Sequence, residues 1–135
     1  MSKPIPVNPP DWKPAKGYAN GMLAPDGTLQ IAGQIGWEGD QVFRAHDFIG
    51  QLEQVLRNIL AVVEAAGGAA DDIMRLTWFV KDKAEYEAKQ AEVGATYRKV
   101  LGRHFPAMTL VVVADLLEPA ALLEIEATAH IAPAG

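Results

Sequence analysis

Residues 47–68, DFIGQLEQVLRNILAVVEAAGG, restrict the fold more than any other stretch of the chain. Phe48, Ile49, Leu52, Val55, Leu56, Ile59, Leu60 and Val63 recur at intervals of three and four, drawing one apolar stripe along a helix of about five turns. A helix with one apolar side must lay that side on something. Asp47 is placed to cap its start, and Gly67 and Gly68 to end it in the left-handed conformation.

The surface beneath the stripe is written before and after it. TLQIAGQIG, from Thr28, alternates Leu29, Ile31, Gly33 and Ile35 with Gln30, Ala32 and Gln34, the period of a strand with one buried face. Pro25-Asp26-Gly27 precedes it as a turn, so residues 18–24 read as the other arm of a hairpin. DDIMRLTWFV follows the helix as a strand, with Met74, Leu76, Trp78 and Val80 on one side. A second helix is expected from Asp82 to Leu101, with capping-box spacing at Asp82 and Glu85 and a stripe of Tyr86, Val93, Tyr97 and Val100. Gly94 interrupts it at a cost of about 1 kcal/mol relative to Ala, so it marks either a need for space beside the helix or harmless drift. TLVVVADLL and ALLEIEATAHI close the chain as strands, the latter alternating Leu123, Ile125, Ala127 and Ala129 with Glu124, Glu126, Thr128 and His130.

Two helices cannot cover both faces of such a sheet, so the expected fold is α+β with both helices on one face. The bare face would carry Glu124, Glu126, Gln34 and Trp78, a mixture suited to burial against other subunits. With 135 residues, half of them hydrophobic, the chain has material for one core and not for two. Prolines at 4, 6, 9, 10 and 14 make residues 1–17 an extended segment, anchored by Trp12, ahead of a single domain at 18–132.

Composition narrows the chemistry. Twelve basic against 17 acidic residues, a net charge of -5 without a basic cluster, disfavours nucleic acid and anionic membranes as partners. No apolar run reaches membrane-spanning length and the proline-rich start does not read as a signal peptide, so a cytoplasmic protein is expected. Without cysteine there is no disulfide, thiolate nucleophile or Cys-based zinc site. His46, His104 and His130 lack ligand spacing, Ser2 is the only serine, and GQIGWEG is no phosphate loop, so no metal, catalytic serine or cofactor is expected. Glu124 and Glu126 stand out, because carboxylates at i and i+2 on one strand lie roughly 7 Å apart. On a buried face one of them becomes a general acid/base; on a wet face both are solvated. Tyr18 is either a core aromatic or a phenol facing a ligand.

Gly17-Tyr18, IAGQIG, NILAVVEAAGG, DDIMRLTWFVKD, VGATY, FPAMT and EIEATA, in this order, resemble the Rid (RidA, YjgF or L-PSP) family of small trimeric enamine/imine deaminases, over nearly the whole chain. The resemblance implies a fold like the Bacillus-type chorismate mutase, a mixed sheet with two helices on one face, assembled as a homotrimer with sites between subunits. The family's site tyrosine falls on Tyr18 and its glutamate, which serves hydrolysis of the C=N bond through a water, on Glu124. Its serine position holds Ala32, its asparagine position Gly94, and the position of the arginine that grips the substrate carboxylate holds Met108. A bidentate arginine–carboxylate contact contributes about 1.5–3 kcal/mol, and a thioether cannot replace it.

The implied pocket is larger and more apolar than the family's, with Trp37 or Phe105 at its wall, and its ligand less anionic than 2-aminoacrylate. Arg103, His104, Lys16 or a neighbouring subunit could return a cation, though Arg103 better suits a solvated helix C-terminus. Two functions follow: a divergent hydrolase of a small enamine, imine or related reactive metabolite, with Glu124 as catalytic residue, or a trimer that binds a small metabolite or partner without turnover. The label ribonuclease, also attached to the family, is opposed by the net acidity.

Overall fold

A computed structural model describes residues 3–133. Its elements run β1 (Ile5–Val7), β2 (Gly21–Leu23), β3 (Thr28–Gln34), α1 (Phe48–Ala65), β4 (Ile73–Val80), α2 (Lys83–Ala88), α3 (Gln90–Leu101), β5 (Ala107–Val112) and β6 (Leu123–His130), with a 3-10 turn at Ala70–Asp72 before β4. The strands form one sheet in the order β1-β2-β3-β6-β4-β5, in which only β4 and β5 are parallel. The helices pack on one face of this mixed sheet, an α+β architecture as expected. Met1 and Ser2, the first residues of the segment expected to run extended, lie outside the described residues. Within that segment Ile5–Val7 pairs with β2 as an edge strand, and Trp12 packs against the core.

α1 supplies the core's spine. Asp47 accepts a hydrogen bond from the Gly50 N–H at 3.2 Å, and Gly67, at φ +93°, ends the helix. Phe48, Leu52, Val55, Leu56, Ile59 and Val63 are buried against Leu29, Ile31, Leu123, Ile125 and Ala127 of the sheet. β6 alternates as its sequence does, with Leu123, Ile125, Ala127 and Ala129 buried and Glu124, Glu126, Thr128 and His130 on the other face.

The expected pattern fails where the register slips. An irregularity between Ile31 and Gln34 turns Gln34 inward, so it is buried rather than carried on the bare face. There its Nε2 donates to Asn20 Oδ1 and to the Ala32 carbonyl, each at 3.2 Å. Trp78 likewise lies under the helices, edge-on to Tyr86 with ring centroids 6.3 Å apart. A second irregularity between Ile73 and Arg75 gives the buried place to Ile73 and leaves Met74 exposed. The second helix is two helices: the chain breaks at Lys89 (φ -117°, ψ 24°), not at Gly94. The break lets Tyr86 meet Trp78 while Val93 and Tyr97 reach the core.

α1 also buries polar groups. Gln51 is fully buried, its Nε2 donating to the carbonyls of Ala45 (3.1 Å) and Ala120 (2.9 Å) and its Oε1 accepting from the Leu122 N–H (2.8 Å). Two turns on, Asn58 Nδ2 donates to the carbonyls of Ile35 (3.1 Å) and Trp37 (2.7 Å). One amide thus ties three loop backbone groups to the helix. Gln51→Leu, which keeps the volume and strands those groups, is expected to lower the unfolding free energy in a urea titration by about 2–4 kcal/mol.

Candidate functional site

The residues singled out in the sequence gather into two clefts. The first, of about 400 Å³, is lined by Tyr18, Ala32, Gly33, Trp37, Leu116, Leu117 and Glu124 among others. Gly17, at φ +83°, bends the chain so that Tyr18 is half exposed at the rim. The Ala32 N–H donates to the Asn20 carbonyl at 2.9 Å, and Asn20 is itself gripped by Asn8 Oδ1 and by Gln34. Trp37 is held by Asn58 from α1 and packs on Phe43 with centroids 5.9 Å apart.

Glu124 comes up from β6 beneath this cleft, partly buried, its carboxylate lying over Gly33. A Cβ built on that glycine would sit 2.5 Å from Oε2, so a side chain there would push the carboxylate out of this position. No cation lies within ion-pairing distance of Glu124 among the described residues. Burial, and then the negative charge of Glu126, push its carboxyl above the usual carboxylate range. A group so placed is able both to accept a proton and to return it.

Gly94, Phe105 and Met108 form the second cleft with Trp78, Tyr86, Val93 and Tyr97, an apolar slot of about 140 Å³ at the β5 edge. Met108 pairs with Leu76, on the helix-covered side, whereas Glu124 pairs with Phe79, on the other. A single copy therefore does not bring Met108 to Glu124. The turn into β5 is firmly held: Tyr97 Oη donates to the His104 carbonyl at 2.5 Å and His104 Nε2 meets the Ile73 carbonyl at 2.6 Å, which requires the proton on Nε2. Phe105 stacks on Tyr97 at 5.7 Å and 16°. The indole Nε1 of Trp78 is buried and unpartnered among the described residues. Arg103, His104 and Lys16 line neither cleft. No group of three His, Asp or Glu side chains able to hold a metal occurs among the described residues, and no helix among them is long and apolar enough to cross a membrane.

The family model for endoribonuclease L-PSP matches residues 9–131. The chain belongs to the L-PSP family. Solved relatives share the whole fold. An endoribonuclease L-PSP protein from Entamoeba histolytica is 25% identical with a TM-score of 0.84, over 96% of this chain and 100% of its own. YyfA of Yersinia pestis, a Rid family protein of unknown function, is 29% identical with a TM-score of 0.81, over 95% and 99%. TdcF of Escherichia coli, solved with bound serine, is 27% identical with a TM-score of 0.79, also over 95% and 99%.

In this L-PSP family chain, sequence reading passed over the buried amides Asn20, Gln51 and Asn58 and placed Gln34, the fourth, on the wrong face. The available signal was the seven-residue spacing of Gln51 and Asn58 beside the apolar stripe of α1. Glu124 carries a pH prediction. The folded protein holds its proton more tightly than the unfolded chain, so its stabilising contribution is present at low pH and lost as pH rises from 4.5 through the raised value. Glu124→Gln removes that loss. In thermal unfolding the variant is expected to match the wild type near about pH 4 and to exceed it near about pH 8.

Proposed function

We propose that the chain is a hydrolase of a small enamine or imine. It works as a homotrimer in which the β5 edge of one copy brings Gly94, Phe105 and Met108 to the Glu124 cleft of the next. The observation that carries the reading is Glu124 itself, a partly buried carboxylate of raised pKa with no cation beside it, facing a cleft large enough for a small metabolite. Its family supports a small-metabolite function, and the serine bound to TdcF is an example of a ligand of that size. Assembly is supported by apolar exposure at this end of the sheet: Phe105 is 66% exposed, Met108, Val111 and Val112 are exposed on the edge strand β5, and Leu117 of the loop after it is 97% exposed.

In the proposed reaction an enamine first takes a proton from water at carbon and becomes the protonated imine. Water then attacks the C=N carbon as the Glu124 carboxylate takes its proton, giving a carbinolamine. The same carboxyl returns the proton to nitrogen, the C–N bond breaks as the hydroxyl gives its proton to the carboxylate, and a carbonyl compound and ammonia leave. A carboxyl with raised pKa serves both steps, and such acid–base catalysis contributes about 10²–10⁴-fold. Tyr18 borders the ligand, and Ala32 and Trp37 shape the wall.

The second reading, a trimer that binds a metabolite or partner without turnover, is favoured by Ala32, Gly94 and Met108 standing where the resemblance asks for serine, asparagine and arginine. The family's ribonuclease label finds no support in a net charge of -5. Ammonia release from 2-aminoacrylate generated in situ separates the readings: the hydrolase is expected above background, with Glu124→Gln lowering the rate by about 100-fold or more. Background rates throughout would remove the usual deaminase reading.

A further inference from the structure

The expectation of a less anionic ligand rests on Met108, and α3 carries a feature that bears on it. Successive residues near the end of this helix point different ways. Lys99 reaches across to Glu53 of α1, Nζ to Oε1 3.0 Å, while the Tyr97 hydroxyl is held on the β5 side by the His104 carbonyl. Arg98 joins no salt bridge among the described residues. It folds back toward the start of the helix, the direction helical side chains favour, and crosses Gly94: a Cβ built there would lie 3.2 Å from its Nη1 and 4.0 Å from its Cζ. Gly94 lines the β5-edge cleft and Arg98 does not, so the guanidinium lies just outside it, against the lip that Gly94 makes. The missing side chain at 94 gives it the room to do so.

Inside the lip the walls are apolar, formed by Tyr97, Phe105, Met108 and Trp78. The volume of about 140 Å³ suits one phenyl or branched alkyl group, since a dry cavity of about 150 Å³ takes up benzene. One cation beside an open apolar slot describes a ligand with two matching ends. We propose that Arg98 is the anion-holding residue of this cleft, and that the cleft takes a small carboxylate bearing an aryl or branched apolar group. The apolar group lies against Met108 and Phe105, and the carboxylate on the guanidinium. The anionic grip that Met108 does not provide from β5 is provided from α3. As a statement about substrate this rests on the hydrolase reading; as a statement about binding it stands on the cleft alone.

Calorimetric titration of the full chain with 3-phenylpropanoate and with 3-phenylpropanamide, which has the same shape and no charge, tests it without turnover. The carboxylate is expected to bind about 5-fold tighter or better. Arg98→Gln is expected to erase that preference, and Arg98→Gln combined with Met108→Arg to restore it from the strand side. Equal affinity of the two ligands for the wild type, binding of neither, or a preference that survives Arg98→Gln overturns the proposal. A preference lost in Arg98→Gln and regained in the double variant, in a protein that releases no ammonia from any imine, upholds the proposal and sinks the hydrolase reading.

Discussion

The buried polar flank of α1 is the contact on which the rest of the molecule depends. The apolar stripe attaches the helix to the sheet, but apolar contact has no direction and would tolerate small slips. Gln51 and Asn58 do not tolerate them, because each spans loop backbone groups that would otherwise be buried without partners. Through Ile35 and Trp37 one amide fixes the exit of β3. Through Ala120 and Leu122 the other fixes the approach to β6, and with it the strand that lifts Glu124.

These two amides also mark the limit of what the sequence made legible. The stripe on α1, the alternation of β6 and the Pro25-Asp26-Gly27 turn are local patterns, each set by a period or a turn chemistry within a few residues, and they appear as read. Two of the three partners of Gln51 lie 69 and 71 residues away, a separation no local pattern reports. The inward turn of Gln34 is hidden for another reason. A single irregularity in β3 exchanges the two faces beyond it, and nothing in TLQIAGQIG states where the extra residue falls. The break at Lys89 is similar, since the stripe from Tyr86 to Tyr97 reads continuously and only the fit of Tyr86 against Trp78 divides it.

Of the candidate site, the members that touch one another along the sheet were the most readable. Glu124 is on the open face because β6 alternates, and Gly33 lies beneath it because β3 pairs with β6. That Met108 would turn to the opposite face depends on the parallel register of β4 and β5, which the apolar run TLVVVADLL leaves unspecified. The two clefts have opposite character as a result. One holds carboxylates and no cation, and the other is apolar with a guanidinium at its edge.

The position of β6 has a consequence for how the molecule is made. It is the sixth strand along the chain, yet it lies between β3 and β4 and, among the described residues, is the only strand that links β1-β2-β3 to β4-β5. Until it arrives, the sheet exists as two separate pieces, each with a raw edge that seeks a strand. Closing them requires contacts across most of the chain, so the sheet is expected to complete late and all at once. The carboxylate of Glu124 rides on that closing strand. A ribosome-bound chain lacking β6 has most of its core residues and no first cleft, which makes the site a report that the fold has been finished.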